Sequence, residues 1–353
     1  MTDKIYAMSS FLQFRTVYDD NVKFDEKLDY PRKANVDFAK NRISIKTSDE
    51  LYDYVKSFVE KESAGGKTAL ALSSGIDSAI CAAFMQKGSV AYTFRCVVPN
   101  KQIIDETETA RKYCEINKLE HRIVDIFWED YEKLSPILIR YNNEPIHSID
   151  VQIYKATLQA KKDGFNKLIF GHGADLIYGG FDQLLSKDWT IGEFIDRYSC
   201  ILPYKVLKKF TLVTEPFEKW SKDGFIDLHG FLDSRVSWGS IHSYYNSCAL
   251  AGIQFAGAYM NTIHSTLDYN RVRSGESKYL VREVFKRLYP NKDIPKKIPM
   301  PRPMDEWFEN WEGPKRPEFW PNCHVNMTGD QKYYIWILEK FLEAQDNNWG
   351  GVY

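Results

Sequence analysis

The feature that most constrains the fold of this chain is a short apolar run that leads directly into a loop of small polar residues. Residues 68–72 (TALAL) form a continuous uncharged run, which is typical of a strand buried on both faces of a parallel sheet. Residues 73–78 (SSGIDS) follow as a loop, and the apolar stretch 79–85 then has helical character. The order strand, loop, helix predicts one unit of an α/β fold.

The same alternation continues along the chain. Further strands are predicted at 90–98, 121–126 and 168–170, and helices near 49–61, 105–117 and 151–162. Strands that alternate with helices imply a doubly wound parallel sheet. Beyond about residue 184 helical periods dominate, so we predict a mainly helical C-terminal region that includes an amphipathic helix at 331–344.

Composition narrows the class of protein. Hydrophobic residues make up 44% of the 353-residue chain and the net charge is -1, which argues against disorder and against a nucleic-acid partner. No apolar stretch reaches the roughly 20 residues of a membrane span, and the N-terminus has no signal-peptide pattern, so we expect no membrane partner. The six scattered cysteines form no CxxC pair, which predicts neither a zinc site nor a disulfide framework and favours a reducing, cytoplasmic location.

The loop after the first strand has the composition of a phosphate-binding turn. Small residues such as Gly75 let backbone N–H groups approach phosphate oxygens, and the adjoining helix N-terminus favours negative charge. Ser73, Ser74 and Ser78 add hydroxyl donors, whereas Asp77 suits a Mg²⁺ ion that bridges phosphates. The alternative is an ordinary helix start that Ser and Asp cap. The Walker sequence GxxxxGK[ST] is absent, which argues against a Walker-type enzyme.

A second small-residue motif follows the strand predicted at 168–170. It reads GHGAD over residues 171–175, and YGG follows at 178–180. Ligands of open α/β sheets bind outside the carboxyl ends of the strands, so Asp175 can share a Mg²⁺ ion with Asp77. For Asp175 alone a helix N-cap is an equal alternative. The presence of both motifs in one chain favours a nucleotide site over two unrelated caps.

At this point the sequence resembles a known family, the synthetase domain of asparagine synthetases and β-lactam synthetases. Residues 73–78 resemble the loop SGGxDS of the N-type ATP pyrophosphatases, and 171–181 (GHGADLIYGGF) resemble the signature GxGADExFGGY. Downstream, 252–261 resemble GxExRxPFLD poorly, 275–283 (GESKYLVRE) resemble GKxxLRE well, and 297–307 resemble KxxFxxPxxxW. The order and spacing match over most of the chain.

The resemblance implies an ATP pyrophosphatase domain of the adenine nucleotide alpha-hydrolase-like fold. It also implies a reaction in which ATP and Mg²⁺ adenylate a substrate carboxylate, pyrophosphate leaves, and a nitrogen nucleophile displaces AMP to give an amide. Lys297 matches the lysine that stabilises charge on the intermediates, and Lys278 is a second catalytic candidate. The metal ligands would be Asp77 and Asp175. The residues that match ATP- and pyrophosphate-binding positions are Ser73, Ser74, Gly75, Asp77, Ser78, Gly171 and Gly173.

The departures from the family pattern fall mainly on the acceptor side. Ser74 stands where the loop has Gly, a substitution that costs conformational freedom if the position needs a positive φ. Leu176 replaces the Glu of GxGADE, and Gln254, Ala256 and Ala258 replace Glu, Arg and Pro. A pocket without these charges predicts an acid other than aspartate. The candidates for lining the altered pocket are His172, Tyr178 and Gln254.

The nitrogen source follows from the N-terminal sequence. Glutamine-dependent relatives carry a glutaminase domain whose cysteine comes directly after the initiator methionine, but here residue 2 is Thr2 and only 72 residues precede the loop. We therefore expect a small carboxylic acid as substrate, and ammonia from solution, ammonia from a separate glutaminase, or an amine as its partner.

The expected organisation is an extension over residues 1–48, the synthetase-like domain over 49–310, and a Trp-rich tail over 311–353 that packs on it. The tail tryptophans are also candidates for a homo-oligomer interface. Two competing hypotheses stay open. One is a tRNA- or sulfur-directed ATP pyrophosphatase, which Cys96 or Cys248 would serve. The other is a catalytically degenerate nucleotide-binding protein.

Overall fold

The computed structural model describes residues 1–28, 42–234, 239–296, 298 and 300–347. The strands are β1 (Ile43–Ser44), β2 (Thr68–Ala71), β3 (Val90–Cys96), β4 (Glu120–Ile126), β5 (Lys167–Phe170), β6 (Ser221–Lys222), β7 (Phe225–Ile226), β8 (Gln254–Gly257) and β9 (Thr262–Ile263). The α-helices are α1 (Lys4–Phe14), α2 (Ser48–Ser63), α3 (Ile76–Phe84), α4 (Thr107–Asn117), α5 (Trp128–Asn142), α6 (Asp150–Lys162), α7 (Ala174–Ile177), α8 (Ile191–Tyr198), α9 (Glu215–Lys219), α10 (Leu228–Leu232), α11 (Ile241–Leu250), α12 (Tyr269–Arg273), α13 (Tyr279–Leu288), α14 (Met304–Trp307) and α15 (Gly329–Asp346). A 3₁₀ helix covers Pro203–Lys205.

The central sheet has five parallel strands in the order β4-β3-β2-β5-β8. The strand that comes first in the chain, β2, lies in the middle of the sheet. The chain adds β3 and then β4 on one side of β2, and later adds β5 and β8 on the other side. This is the doubly wound α/β arrangement that the sequence predicts, and the direction reverses between β2 and β5. The helical C-terminal region is confirmed as well.

The alternation of side chains along β2 explains why the strand is apolar throughout. Ala69 and Ala71 face a core that α5, α6, α11 and α15 cover, whereas Leu70 and Leu72 face the core beneath α2, α3 and α13. Both faces are buried, so neither position tolerates a charge. The small alanines let the helices approach the sheet closely.

One strand of the central sheet was not predicted. Residues 254–257 lie inside the region expected to be mainly helical, but they form β8 at an edge of the sheet. The four-residue segment QFAG has little strand propensity of its own, and backbone pairing with β5 supplies the order. Periodicity therefore gives no signal for this strand.

Helix α1, near the N-terminus, and helix α15, near the C-terminus, pack into one hydrophobic core. Ala7, Phe11 and Leu12 of α1 are fully buried and share a core with α15, whose predicted range 331–344 is confirmed. Trp128 of α5 packs against Trp307 and against other aromatic rings of the C-terminal segments. In the part of the chain that the structure describes, no helix combines the length and the apolar character that crossing a membrane demands.

Candidate active site

The two predicted motifs meet at the point where the sheet reverses its direction. In the pairing of β2 with β5, Ala71 is opposite Phe170, so the loops that follow the two strands leave the sheet side by side. At Gly171 an added Cβ would lie 2.7 Å from the backbone nitrogen of Ser78. Glycine is therefore required at this position, because any side chain would push the two loops apart.

Hydrogen bonds within the first loop fix its shape. The Ser73 N–H donates to Ser78 Oγ at 3.1 Å, and the Gly75 N–H donates to Ser73 Oγ at 3.2 Å. Gly75 is the N-cap of α3 and makes no side-chain capping bond. The loop therefore points the N-terminus of α3 into the crevice, which is the geometry that attracts phosphate.

The Ser74 departure has a structural partner that the sequence did not reveal. Ser74 Oγ donates to Glu106 Oε1 at 2.6 Å, and both side chains are buried. Burial raises the pKa of the Glu106 carboxyl, and the bonds from Ser74 act in the opposite direction. The backbone of Ser74 is not in the left-handed region, so serine replaces glycine without strain.

A buried lysine joins the two predicted metal ligands. Lys278 Nζ lies 2.5 Å from Asp77 Oδ2 and 3.1 Å from Asp175 Oδ1, and the lysine is only 7% exposed. Burial alone would lower the pKa of its ammonium, but the two carboxylates outweigh that effect and hold the pKa above its ordinary value. Asp77 and Asp175 thus already face one shared cation.

The glycines of the second motif make room for this cluster. At Gly180 an added Cβ would lie 2.1 Å from Asp175 Oδ1 and 2.6 Å from Lys278 Cδ. Gly173, with φ +101°, is the N-cap of α7, so the proposal that Asp175 caps this helix is wrong. Asp175 instead turns toward the crevice from the first turn.

The donor set fits a nucleotide with Mg²⁺. Two carboxylates converge beside loop hydroxyls and a helix N-terminus, and Mg²⁺ is commonly held by one or two carboxylates together with phosphate oxygens and water. Among the described residues no group of three or more His, Cys, Asp or Glu side chains forms a metal cage. This ion would therefore depend on the phosphates for the rest of its ligands.

A large cavity opens from the crevice. Its volume is about 1290 Å³, and its walls include the first loop, both aspartates, Lys278 and His172. The His172 ring faces Tyr244 at a centroid distance of 4.4 Å, and burial lowers the pKa of the imidazole to about 4. His172 is therefore neutral near pH 7 and offers a hydrogen-bonding wall without charge.

Three predicted residues do not join this cluster. Tyr178 is 1% exposed, its hydroxyl bonds Thr262 Oγ1 at 2.9 Å, and it does not line the cavity. Gln254 begins β8 opposite Lys167, which places it at the amino edge of the sheet, away from the crevice. Lys297 lies outside the described residues.

Other residues of the site were not among those predicted from the sequence. The Tyr259 hydroxyl donates to the backbone carbonyl of Asp77 at 3.1 Å and so supports the loop from below. Arg282 lines the cavity and donates to Ser277 Oγ at 2.9 Å. Arg282 falls in the GESKYLVRE segment, which was the available signal, whereas nothing in the sequence marks Glu106.

Comparison with known proteins decides the family. Residues 50–237, more than half of the chain, match the family model for asparagine synthase. The chain belongs to the asparagine synthase family. This family groups ATP-using, amide-forming ligases, and the match contains both motifs of the crevice.

No curated protein matches the chain. Among solved structures it is similar to an NH3-dependent NAD synthetase from Campylobacter jejuni subsp. jejuni NCTC 11168, in complex with the nitrate ion. The sequence identity is 14%, the similarity covers 72% of this chain and 100% of that chain, and the TM-score is 0.26.

Proposed function

We propose that this protein is an ATP- and Mg²⁺-dependent ligase that joins a carboxylic acid to ammonia or an amine. In the first step a carboxylate oxygen attacks the α-phosphorus of ATP, the bond to the β-phosphate breaks, and pyrophosphate leaves. In the second step the nitrogen lone pair attacks the acyl carbon, AMP leaves with the electron pair of the C–O bond, and the nitrogen loses a proton.

The observation that carries the proposal is the convergence of Asp77, Asp175 and Lys278 beside the N-terminus of α3. The helix N-terminus and the hydroxyls of Ser73 and Ser78 would hold the phosphate oxygens. Mg²⁺ on the two aspartates would offset the charge that builds up on the departing pyrophosphate. Lys278 adds a fixed positive charge at the same place.

The ammonium of Lys278 and a metal ion would share the same two carboxylates. A cation bound to Asp77 Oδ2 and Asp175 Oδ1, the oxygens that contact Lys278 Nζ, would displace at least one of these contacts. We expect the freed ammonium to turn toward the phosphates. Lys278 would then act as a phosphate ligand whose position depends on the metal.

The acceptor side supports an acid other than aspartate. Gln254 lies at the amino ends of the strands, away from the crevice, and Ala256 and Ala258 are buried. The segment that carries Glu and Arg in the family pattern therefore brings no charge to this crevice. The positions of these residues support a changed specificity and leave the nucleotide end intact.

The sulfur-directed alternative finds little support in the thiols. Cys96 is 5% exposed, and burial raises the pKa of its thiol to about 12. Cys248 is 1% exposed, and burial raises the pKa of its thiol as well. Thiols that stay protonated at neutral pH are poor nucleophiles.

A screen for pyrophosphate release tests the proposal. Purified protein is incubated with Mg-ATP, ammonium or simple amines, and a panel of carboxylic acids. We expect AMP and pyrophosphate in equal amounts with the right acid, and loss of both in Asp77→Asn. Asp196→Asn, a change at an exposed aspartate of α8 that does not line the cavity, serves as the matched control. Formation of ADP and phosphate would refute the proposal, and tight ATP binding without any pyrophosphate release would favour the degenerate alternative.

A further inference from the structure

The cavity has a second end that the nucleotide-binding loops do not build. Its walls there come from the C-terminal end of α1, from residues 142–150 between α5 and α6, and from Arg302. At about 1290 Å³ the whole cavity exceeds the roughly 300–1,000 Å³ of pockets for single small ligands. It therefore has room for a nucleotide and a second molecule.

Two buried acids lie at this second end of the cavity, which we call the inner end. Asp150 is 2% exposed and Glu144 is 6% exposed. Glu144 accepts the N–H of Val17 at 3.3 Å, which holds it in place. The Oδ1 atom of Asp150 is buried and has no hydrogen-bond partner among the described residues. An unpaired buried carboxylate is costly unless a ligand completes it.

The inner end of the cavity also has a cationic side chain, Arg15, that forms no ion pair with a carboxylate of the described residues. The guanidinium of Arg15 lies 5.7 Å from the centre of the Tyr334 ring, and no carboxylate in the ranges that the structure describes forms an ion pair with it. Arg302, by contrast, is paired with Asp330 at 3.1 Å. The Tyr334 hydroxyl is 3.2 Å from His147 Nε2, and the His147 carbonyl accepts the N–H of Asp150 at 3.1 Å.

Arg15, Glu144, His147 and Asp150 all line this cavity, and the bond from the Val17 N–H to Glu144 ties the acidic segment to the stretch of chain that carries Arg15. Tyr244 lines the same cavity, and the centroid of its ring lies 4.4 Å from that of His172 in the second motif.

We propose that the inner end of the cavity binds an amino acid as the nitrogen donor of the ligase, with its ammonium against Asp150 and Glu144 and its carboxylate against Arg15. Free ammonium would satisfy only the acidic half and would leave Arg15 without a carboxylate. A simple amine would do the same. The inference rests on the proposed function for its place in the reaction, but binding itself does not.

Direct binding tests the inference without turnover. The standard proteinogenic amino acids are titrated into the ATP-free protein by calorimetry, with ammonium chloride as reference. We expect at least one amino acid to bind, and Asp150→Asn to weaken it by about tenfold or more, because a charge-assisted hydrogen bond is lost. The control Asp196→Asn, at an exposed aspartate of α8 that does not line the cavity, should bind as the unchanged protein does.

A second variant separates the two halves of the ligand. Arg15→Gln should weaken binding of the amino acid but should not change binding of the matched amine that lacks the carboxylate. Absence of binding for every amino acid, or equal affinity in Asp150→Asn and the unchanged protein, would overturn the inference. So would acid-dependent pyrophosphate release that yields an amide only with ammonium, a result that leaves the proposed function standing. Amino-acid binding without pyrophosphate release for any acid would support the inner site and count against the proposed function.

Discussion

Among single residues, Lys278 has the largest electrostatic role in the crevice. Its backbone is in the left-handed region, with φ +55°, directly before α13, and its ammonium contacts two carboxylates. The sequence motif identifies the residue. The sequence does not show that the lysine is buried between both aspartates, because that contact joins positions about 100 and 200 residues apart.

Replacement of Lys278 should show whether Mg²⁺ can take the place of its ammonium between the two aspartates. In Lys278→Met two close carboxylates lose their shared cation, so we expect the free energy of unfolding to fall by about 1–3 kcal/mol in EDTA. Added Mg²⁺ should restore more stability to this variant than to the unchanged protein, since the ion can take the place of the ammonium. Thermal melts with and without Mg²⁺ measure both effects. Lys286→Met, on the exposed side of α13, is the control, and an equal response to Mg²⁺ in all three proteins would contradict the expectation.

Ser74 illustrates a departure that the structure explains. Restoring the family residue with Ser74→Gly removes the bond to buried Glu106 and gains nothing, because the backbone there is not left-handed. We expect a loss of about 1–3 kcal/mol in urea denaturation. Ser74→Thr, which keeps the hydroxyl, should lose less. A glycine variant as stable as the unchanged protein would show that the Ser74–Glu106 bond contributes nothing.

Asp150 should make stability depend on pH. Burial raises the pKa of its carboxyl to about 7, from an ordinary value of 3.8, and the Glu144 charge adds to this. Between these two pH values the folded state holds a proton that the unfolded state has lost, so this residue destabilises the fold as pH rises from about 4 to about 7. Asp150→Asn removes that effect. Melting temperatures from pH 4 to pH 8 should show the variant gaining on the unchanged protein as pH rises, and a constant or shrinking difference would be the contrary result.

At the scale of elements, the strand–loop–helix units were predictable because each has its own period. β2 is apolar on both faces, and α2 begins with a capping box of Thr47 and Glu50 that the sequence displays. The elements that were missed lack such signals. β8 has four residues and depends on its pairing with β5, and α5 contains Pro136 within its range.

The site depends on close contact between the loop 73–78 and the loop that begins at Gly171. In Gly171→Ala the new methyl group would lie 2.7 Å from backbone nitrogen of Ser78, so one of the loops must move. We expect a loss of about 1–3 kcal/mol of stability and weaker ATP binding, measured by denaturation and by calorimetry. Gly192→Ala is the matched control, because its methyl group meets nothing within 4 Å in α8 and should be neutral or slightly stabilising. Unchanged ATP binding in Gly171→Ala would contradict the role of this contact.

At the scale of the whole molecule, the sequence predicts the nucleotide end of the cavity far better than the inner end. The nucleotide end comes from loops that follow two adjacent strands, and the order of strands in a doubly wound sheet brings them together. The inner end joins Arg15, residues 142–150 and Arg302, which no periodic pattern connects. Packing of α1 and α15 in one core brings these distant segments together, and such packing is not visible in local sequence.

The central claim is that the protein adenylates a carboxylate, and the fate of the carboxylate oxygen tests it most directly. The acid that supports pyrophosphate release is prepared with ¹⁸O in its carboxylate and turned over with unlabelled ATP, and the products are analysed by mass spectrometry. Attack on the α-phosphorus predicts one ¹⁸O atom in each AMP and none in pyrophosphate. Label in inorganic phosphate, or AMP without label, would contradict the account.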